Sequence, residues 1–220
     1  MFYSLFDSAY GVCGIVYRNL EAPRVVHLLL PGTRNEVKSR ILSMFPNCEQ
    51  INSPQIDGLI SDIVRYLDGA TVTLAFELMD TSVCYPFQLK VLSADRTIPR
   101  GMTATYSWVA KKVEAKGVRV VGNALARNPF PLVVPCHRAI RSDRTLGGFQ
   151  GGLEMKRHLL EMEGVKFDSR GRVKPEYILS DKNQLSKYPE LLPYGYVANN
   201  SSGRLWRRWF SSSEDTSICW

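Results

Sequence analysis

No apolar run in this sequence approaches the ~20 residues that a bilayer-spanning helix needs, so a helical membrane protein is excluded. Cysteine is scarce: Cys13, Cys48, Cys84, Cys136 and Cys219 are scattered over 220 residues, with no C-x-x-C pair. That excludes a disulfide scaffold and leaves a reducing, cytoplasmic setting as the expectation, or a nuclear one in a eukaryote. The opening Met1–Val12 lacks a basic start and includes Asp7, so no secretory signal is expected there. Internal repeats are absent. The Gly147–Gly152 run does not follow a strand in a βαβ unit, so it is not read as a dinucleotide site. With 45% hydrophobic and 22% charged residues, a wholly disordered chain is excluded too.

Charge is present but unevenly spread. Residues 1–86 carry 6 basic and 9 acidic side chains, residues 87–174 carry 17 and 7, and residues 175–220 carry 5 of each. A basic module is attached to a mildly acidic one, which points to a polyanionic partner such as nucleic acid.

The hydrophobic pattern divides the chain in the same way. Phe2–Phe6, Gly11–Tyr17 and Val25–Leu30 read as strands of an antiparallel meander. Val37, Ile41, Leu42 and Phe45 have helical spacing, as do Ile56, Leu59, Ile60, Ile63 and Leu67. Val72–Leu78 reads as a further strand. Residues 1–80 are therefore an α/β unit in which nothing looks catalytic, and residues 81–86 are a linker. In residues 87–174, Phe87–Ala94 is a short helix. Thr105 is a good N-cap for Tyr106–Val113, and Val118–Arg127 follows after Lys116-Gly117. Two short helices around a glycine-bearing turn suit a helix-turn-helix. Leu153–Glu163 is the last helix, with Leu153, Leu159, Leu160 and Met162 available for the core. Residues 175–220 form an extension of unknown role, in which Leu205–Phe210 mixes cations with aromatics.

Chemistry concentrates at Cys136-His137. A free thiol is only ~3% thiolate at pH 7, so a reactive one needs a base or a positive field. Pro135 makes a bend that could bring the two side chains together, and Glu163 is one candidate acid to orient the imidazole. By themselves these residues read rather as a buried cysteine beside a surface histidine. Cys13, Cys48, Cys84 and His27 lack paired ligand spacing, so no metal and no cofactor are expected. His158 reads as a surface or packing residue.

The stretch Asn128-Pro-Phe-Pro-Leu-Val-Val-Pro-Cys-His-Arg138 closely resembles the active-site signature of the O6-alkylguanine-DNA alkyltransferases. The likeness runs from about Phe87 to Gly164. It includes Ile98-Pro99-Arg100-Gly101, Thr105-Tyr106, Val109-Ala110, Arg119, Val121-Gly122, Gly147-Gly148, Gly151-Gly152-Leu153 and Glu161–Gly164. The resemblance implies a ribonuclease-H-like N-terminal domain and a winged-helix-like C-terminal domain. It also implies a monomer that repairs O6-alkylguanine in duplex DNA, with O4-alkylthymine as a further candidate substrate.

Cys136 would be the alkyl acceptor, His137 its base, Glu163 the partner of the imidazole, Tyr106 a proton donor to the guanine, and Asn128 the tie between helix and active-site segment. Arg119 would fill the gap left by a flipped base. Thr105, Gly117, Gly122, Asn123 and Arg138 would join it at the DNA, and Val118 and Val120 are bulkier than the family's usual alanines. Pro131, Ala139, Phe149, Gln150 and Gly151 would shape the pocket, Gly151 by leaving room for larger adducts. The rival readings are a non-catalytic sensor of alkylated DNA, a sequence-specific regulator and a thiol hydrolase; the cysteine at 136 opposes the first.

Overall fold

The computed structural model describes residues 1–180, which form one compact unit. The extension residues Leu205–Phe210 lie outside the described residues. Strands β1 (Phe2–Ser8), β2 (Gly11–Arg18) and β3 (Arg24–Gly32) make the antiparallel meander. A two-residue strand β4 (Glu49–Gln50) joins β1 in parallel, so the mixed sheet has the order β3-β2-β1-β4.

The central strand β2 is buried along Val12–Tyr17 because both faces of the sheet are covered. Helix α1 (Arg34–Met44) lies on one face. Its start is set by a reciprocal pair: the Thr33 side chain accepts from Glu36 N–H, and Glu36 accepts from Thr33 N–H. Val37 and Ile41 of α1 pack with Tyr3, Val16, Val26 and Leu29. Gly14 permits that close approach, since a Cβ there would lie 2.9 Å from both Val37 and Ile41. On the other face Phe6, Cys13, Leu28 and Leu30 meet Ile63 of α2 (Pro54–Leu67), together with Pro131 and Leu132. The residues that lead into Cys136 therefore rest directly on the sheet.

The basic half contains α3 (Pro86–Arg96), α4 (Tyr106–Lys112), α5 (Val118–Ala126) and α6 (Gly152–Met162). Thr105 caps α4 by accepting from Trp108 N–H at 3.1 Å. Two-residue strands β5 (Ala104–Thr105) and β6 (Ala139–Ile140) pair in parallel and bring the Cys136–Arg138 turn beside the start of α4. Ile140, Leu160, Val165 and Val173 form a second apolar cluster beneath α6. Among the described residues, no helix is long and apolar enough to cross a membrane.

Two expectations need correction. Val72–Leu78 is not a strand: only Met79 bridges to Val25. The outer edge of β3 is already engaged, by Pro129 C=O accepting from Leu28 N–H and by Leu78 C=O accepting from Val25 N–H. Arg24 also takes the Glu77 and Met79 carbonyls. Leu153 is not core either. It is 57% exposed, because the inward face of α6 begins at Lys156 and continues through Leu159 and Leu160.

Ile41→Ala is expected to cost about 2–5 kcal/mol of stability, and Leu153→Ser to stay within about 0.5 kcal/mol of wild type. Urea unfolding midpoints check both.

Candidate alkyl-acceptor site

Helix α5 ends at Ala126, and the chain turns beneath it at Asn128-Pro129. Asn128 organises the turn: its Nδ2 donates to Val134 C=O at 3.0 Å and to Cys136 Sγ at 3.3 Å, while its Oδ1 accepts from Phe130 N–H at 2.9 Å. Leu132 takes the left-handed conformation (φ 73°) inside that turn. Cys136–Arg138 then form a single 3-10 turn. This bend gives the adjacent side chains different surroundings. Cys136 faces a cleft, and His137 points into the protein.

The cleft holds about 670 Å³. One wall is the α5 face carrying Arg119, Gly122, Asn123 and Ala126, whose i, i+3, i+4, i+7 spacing is one side of a helix. Val121, Ala124 and Leu125 are buried behind it. The opposite wall is Gly147–Gln150, with Tyr106 and Arg141 completing the rim. Arg119 is exposed, as are Val118 and Val120 at 43% and 44%. Gly117 sits at the N-cap of α5 in open surroundings. The Gln150 side chain is tied down: its Nε2 donates to Ala126 C=O at 3.0 Å and to Asn128 C=O at 2.9 Å, latching the loop to the end of α5.

Behind the thiol lies a polar cluster. His137 and Glu163 are buried, and Nε2 of His137 lies 3.1 Å from Glu163 Oε1. Arg138 grips the same carboxylate through Nε (2.9 Å to Oε2) and Nη2 (2.7 Å to Oε1). The Tyr66 hydroxyl of α2 donates to Glu163 Oε1 at 2.6 Å and lies 3.2 Å from His137 Nε2. A carboxylate only accepts, so Nε2 carries the imidazole proton. Nδ1, buried and without a hydrogen-bond partner, is then the free lone pair. The Phe149 ring packs edge-on against the imidazole, 6.2 Å away between centroids.

Residues 86–165, which carry α3 to α6 and this turn, match the family model of the 6-O-methylguanine DNA methyltransferase DNA-binding domain. They belong to that family. A methylated-DNA–protein-cysteine methyltransferase of Methanothermobacter thermautotrophicus is 46% identical over 115 residues, 52% of this chain and 65% of the relative. The chain spans between about half and two thirds of the length of such curated relatives. The O6-methylguanine-DNA methyltransferase structure from Pyrococcus kodakaraensis superposes with a TM-score of 0.59 at 28% identity, over 74% of this chain and 99% of that one. A structure of Mycobacterium tuberculosis OGT in complex with DNA gives 0.57 at 26%, over 74% and 92%.

Within the matched residues, several expected site residues lie elsewhere. Pro131 does not line the cleft, because it packs against the sheet with Phe6 and Leu28. Ala139 is fully buried, and its carbonyl accepts from Lys156 Nζ at 2.6 Å. Gly151 leaves no spare room: a Cβ would lie 2.5 Å from Met155 Sδ and 3.1 Å from the Phe149 ring. Arg138 is not a DNA-facing cation, since its side chain is 12% exposed and committed to Glu163 and to Ile98 C=O. Thr105 Oγ1 accepts from Trp108 N–H in the α4 cap and keeps its O–H donor. His158 is exposed and packs edge-on against Tyr10.

Three residues escaped the sequence reading. Tyr66 comes from the half in which nothing looked catalytic. Lys156 is buried on α6 and ties Ala139 C=O to Gly148 C=O (3.3 Å). Asp95 of α3 is fully buried with neither carboxylate oxygen hydrogen-bonded. Only one weak signal was available: Tyr66 follows Leu59 and Ile63 at i+7 and i+3 on an apolar helix face, where a hydroxyl needs a partner.

Burial pushes the Cys136 thiol up to about 12, with Asp95 adding to the rise and the Asn128 hydrogen bond opposing it. Burial also lowers the proton affinity of His137 below its ordinary value, against the pull of Glu163. Both groups are therefore neutral at pH 7. Desolvation alone would raise Glu163. The hydrogen bonds and charges of His137 and Arg138 outweigh it and hold the carboxyl well below the usual carboxylate range.

Folding therefore lowers the proton affinity of Glu163. Its stabilising contribution is complete above the unfolded value near about 4.3 and is lost as pH falls from there toward the lowered folded value. Glu163→Gln should flatten that acid limb, as followed by urea unfolding across pH. At the cleft, Gln150→Glu substitutes an acceptor-only carboxylate against two carbonyls. The loop should loosen at neutral pH and recover as the new carboxyl protonates, as read by amide hydrogen exchange at Gly147–Gly151.

Proposed function

We propose that this protein transfers an alkyl group from O6 of guanine in double-stranded DNA to Cys136, once per molecule, and is spent by the reaction. One observation carries the reading. A cysteine opens on a cleft edged by the arginine-bearing face of α5, while the next residue is a buried histidine held by a carboxylate. O4-alkylthymine is the further candidate substrate. The same resemblance supports a ribonuclease-H-like first half, a winged-helix-like second half and a monomer that acts in the cytoplasm, or in the nucleus of a eukaryote.

In this reading the Cys136 S–C bond forms as the C–O6 bond breaks, and the electron pair departs with the guanine. A thiol raised to about 12 cannot rely on a standing population of thiolate, so its proton leaves during attack. Nδ1 of His137 receives it through a bridging water. Nε2–H stays on Glu163, which stabilises the imidazolium, and the Tyr66 hydroxyl, donating to the same carboxylate oxygen, holds that carboxylate in place. Tyr106, on the cleft rim, supplies a proton to guanine N3, and solvent then restores both residues. The target atom is unreachable in a stacked duplex, so the nucleotide must flip out. Arg119 is exposed beside the cleft and has the reach and planar charge to occupy the gap. Gly122 and Asn123 share its face and lie along the DNA.

The sensor reading is opposed by the acceptor cysteine itself. Intact mass after incubation with a duplex containing one O6-methylguanine decides between them. The expected result is a gain of one methyl, located on Cys136, saturating at one per protein and absent in Cys136→Ala. Tight binding with no mass gain would leave the sensor standing. In the same assay Arg119→Ala should slow transfer about tenfold or more from duplex DNA and much less from the free modified base.

A further inference from the structure

A short hairpin of cations follows the matched residues, which end at 165. Residues 165–174 carry Lys166, Arg170, Arg172 and Lys174 against Asp168 alone. The hairpin is firmly built. Phe167 and Val173 bridge in antiparallel fashion. Asp168 N–H donates to Arg172 C=O at 2.8 Å and Lys174 N–H to Lys166 C=O at 3.0 Å. Gly171, at φ 71°, closes the turn by donating to Asp168 C=O at 2.9 Å. Val173 is buried with Ile140, Leu160 and Val165, and Phe167 packs on that cluster. The one carboxylate is committed within the fold. Asp168 Oδ1 accepts from the N–H groups of Arg170 at 2.9 Å and Arg172 at 3.0 Å, and Oδ2 lies 3.7 Å from Arg144 Nη2 and 3.9 Å from Arg172 Nε. Lys166 and Arg170 are exposed and Lys174 is half-buried. None of these three side chains makes a hydrogen bond or ion pair among the described residues.

The hairpin is stapled to the rim of the acceptor cleft. Pairing of β5 with β6 sets Thr105 beside Ile140, so the next residues, Tyr106 and Arg141, leave the ladder side by side and both line the cleft. Arg141 then opens a tight turn: its N–H donates to Thr145 C=O and its C=O accepts from Arg144 N–H, each at 2.9 Å. Ser142 Oγ lies 3.0 Å from Ser107 Oγ, which ties this turn to α4. Across the turn, Arg144 C=O accepts from Val173 N–H at 3.0 Å, and Arg144 Nη1 donates to Val173 C=O at 3.4 Å. The Arg141 guanidinium has no hydrogen bond or ion pair among the described residues, since Asp143 spends its Oδ1 on Thr145. Like charges fixed on rigid turns repel one another. A row of phosphates relieves that repulsion and sheds its own condensed counterions in doing so.

We propose that the 166–174 hairpin is a second DNA contact, in which Lys166, Arg170 and Lys174 hold duplex backbone phosphates beyond the nucleotide seated in the cleft. The proposal rests on the reading of α5 and the cleft as the DNA-facing surface. Phosphate contacts position a protein on the duplex and carry no sequence information. The hairpin therefore lengthens the footprint on undamaged DNA, where α5 samples successive bases, and leaves the choice of target to the cleft.

The test titrates the full chain with unmodified duplexes of about 8 and about 20 base pairs over a range of salt, read by fluorescence anisotropy. Lys166→Gln/Arg170→Gln/Lys174→Gln should bind the longer duplex about tenfold more weakly and flatten its log affinity–log salt slope by about 2–3. The shorter duplex should be bound as by wild type. Arg170→Gln alone, at the exposed turn, should lower the slope by about 1 and serves if the triple variant does not fold. Arg170→Lys keeps the charge and should keep the slope. An unchanged slope on the longer duplex overturns the contact. So does an equal loss on both lengths, which places these cations inside the footprint of the target itself. The alkyl-transfer reading stands or falls separately. A chain that gains its methyl on Cys136 while the triple variant binds as wild type loses only the hairpin contact. One that grips the longer duplex through the hairpin but gains no methyl loses only the transfer.

Discussion

Taking a carboxylate out of water costs several kcal/mol unless donors close around it. Glu163 meets that condition with three partners drawn from two other parts of the chain: Tyr66 from α2, and His137 and Arg138 from the Cys136–Arg138 turn. The remainder of the site depends on this arrangement. The carboxylate fixes which imidazole nitrogen carries the proton, anchors Arg138, and draws α2 against the acceptor half. Each partner is needed for the others to remain buried at tolerable cost, so the cluster sets both the packing of the two halves and the chemistry at the thiol.

The thiol itself is guarded by the same low-dielectric surroundings. A neutral, buried sulfur beside Asn128 Nδ2 resists oxidation and stray electrophiles, which act on thiolates. Lys156 and Asp95 place a cation and an unpartnered carboxyl near it, and burial holds these two at about 8 and about 7. Reactivity is thus conditional. It depends on a substrate that seats itself well enough for proton removal and attack to coincide.

Much of this was legible in the chain. The apolar spacing of Ile56, Leu59, Ile63 and Leu67 places α2, and Thr105 marks the start of α4. The Asn-Pro-x-Pro run before Cys136 announces a turn by its lack of amide donors. What escaped has physical reasons. Val72–Leu78 has strand-like residues, but only its end, at Leu78, reaches the edge of β3, where Pro129 C=O already takes Leu28 N–H. Gly151 lies next in sequence to the cleft residue Gln150 yet faces Met155, and Pro131 faces the sheet, a matter of local backbone direction that spacing does not encode. Tyr66 is invisible because a phenol on an apolar helix stripe looks like ordinary core until its hydroxyl's partner, nearly a hundred positions away, is known.

That phenol also changes how inherited or engineered variation would be read. The matched domain begins at residue 86, yet one member of its proton-handling cluster is donated from residue 66, and Pro131 leans on the β-sheet. A substitution that merely tilts α2 leaves α5, the cleft walls and the cysteine untouched, and still disturbs the carboxylate that holds His137. Lesions of this kind would masquerade as ordinary folding variants on a map of the surface. Their true address is the electronic state of an imidazole on the far side of the molecule's seam.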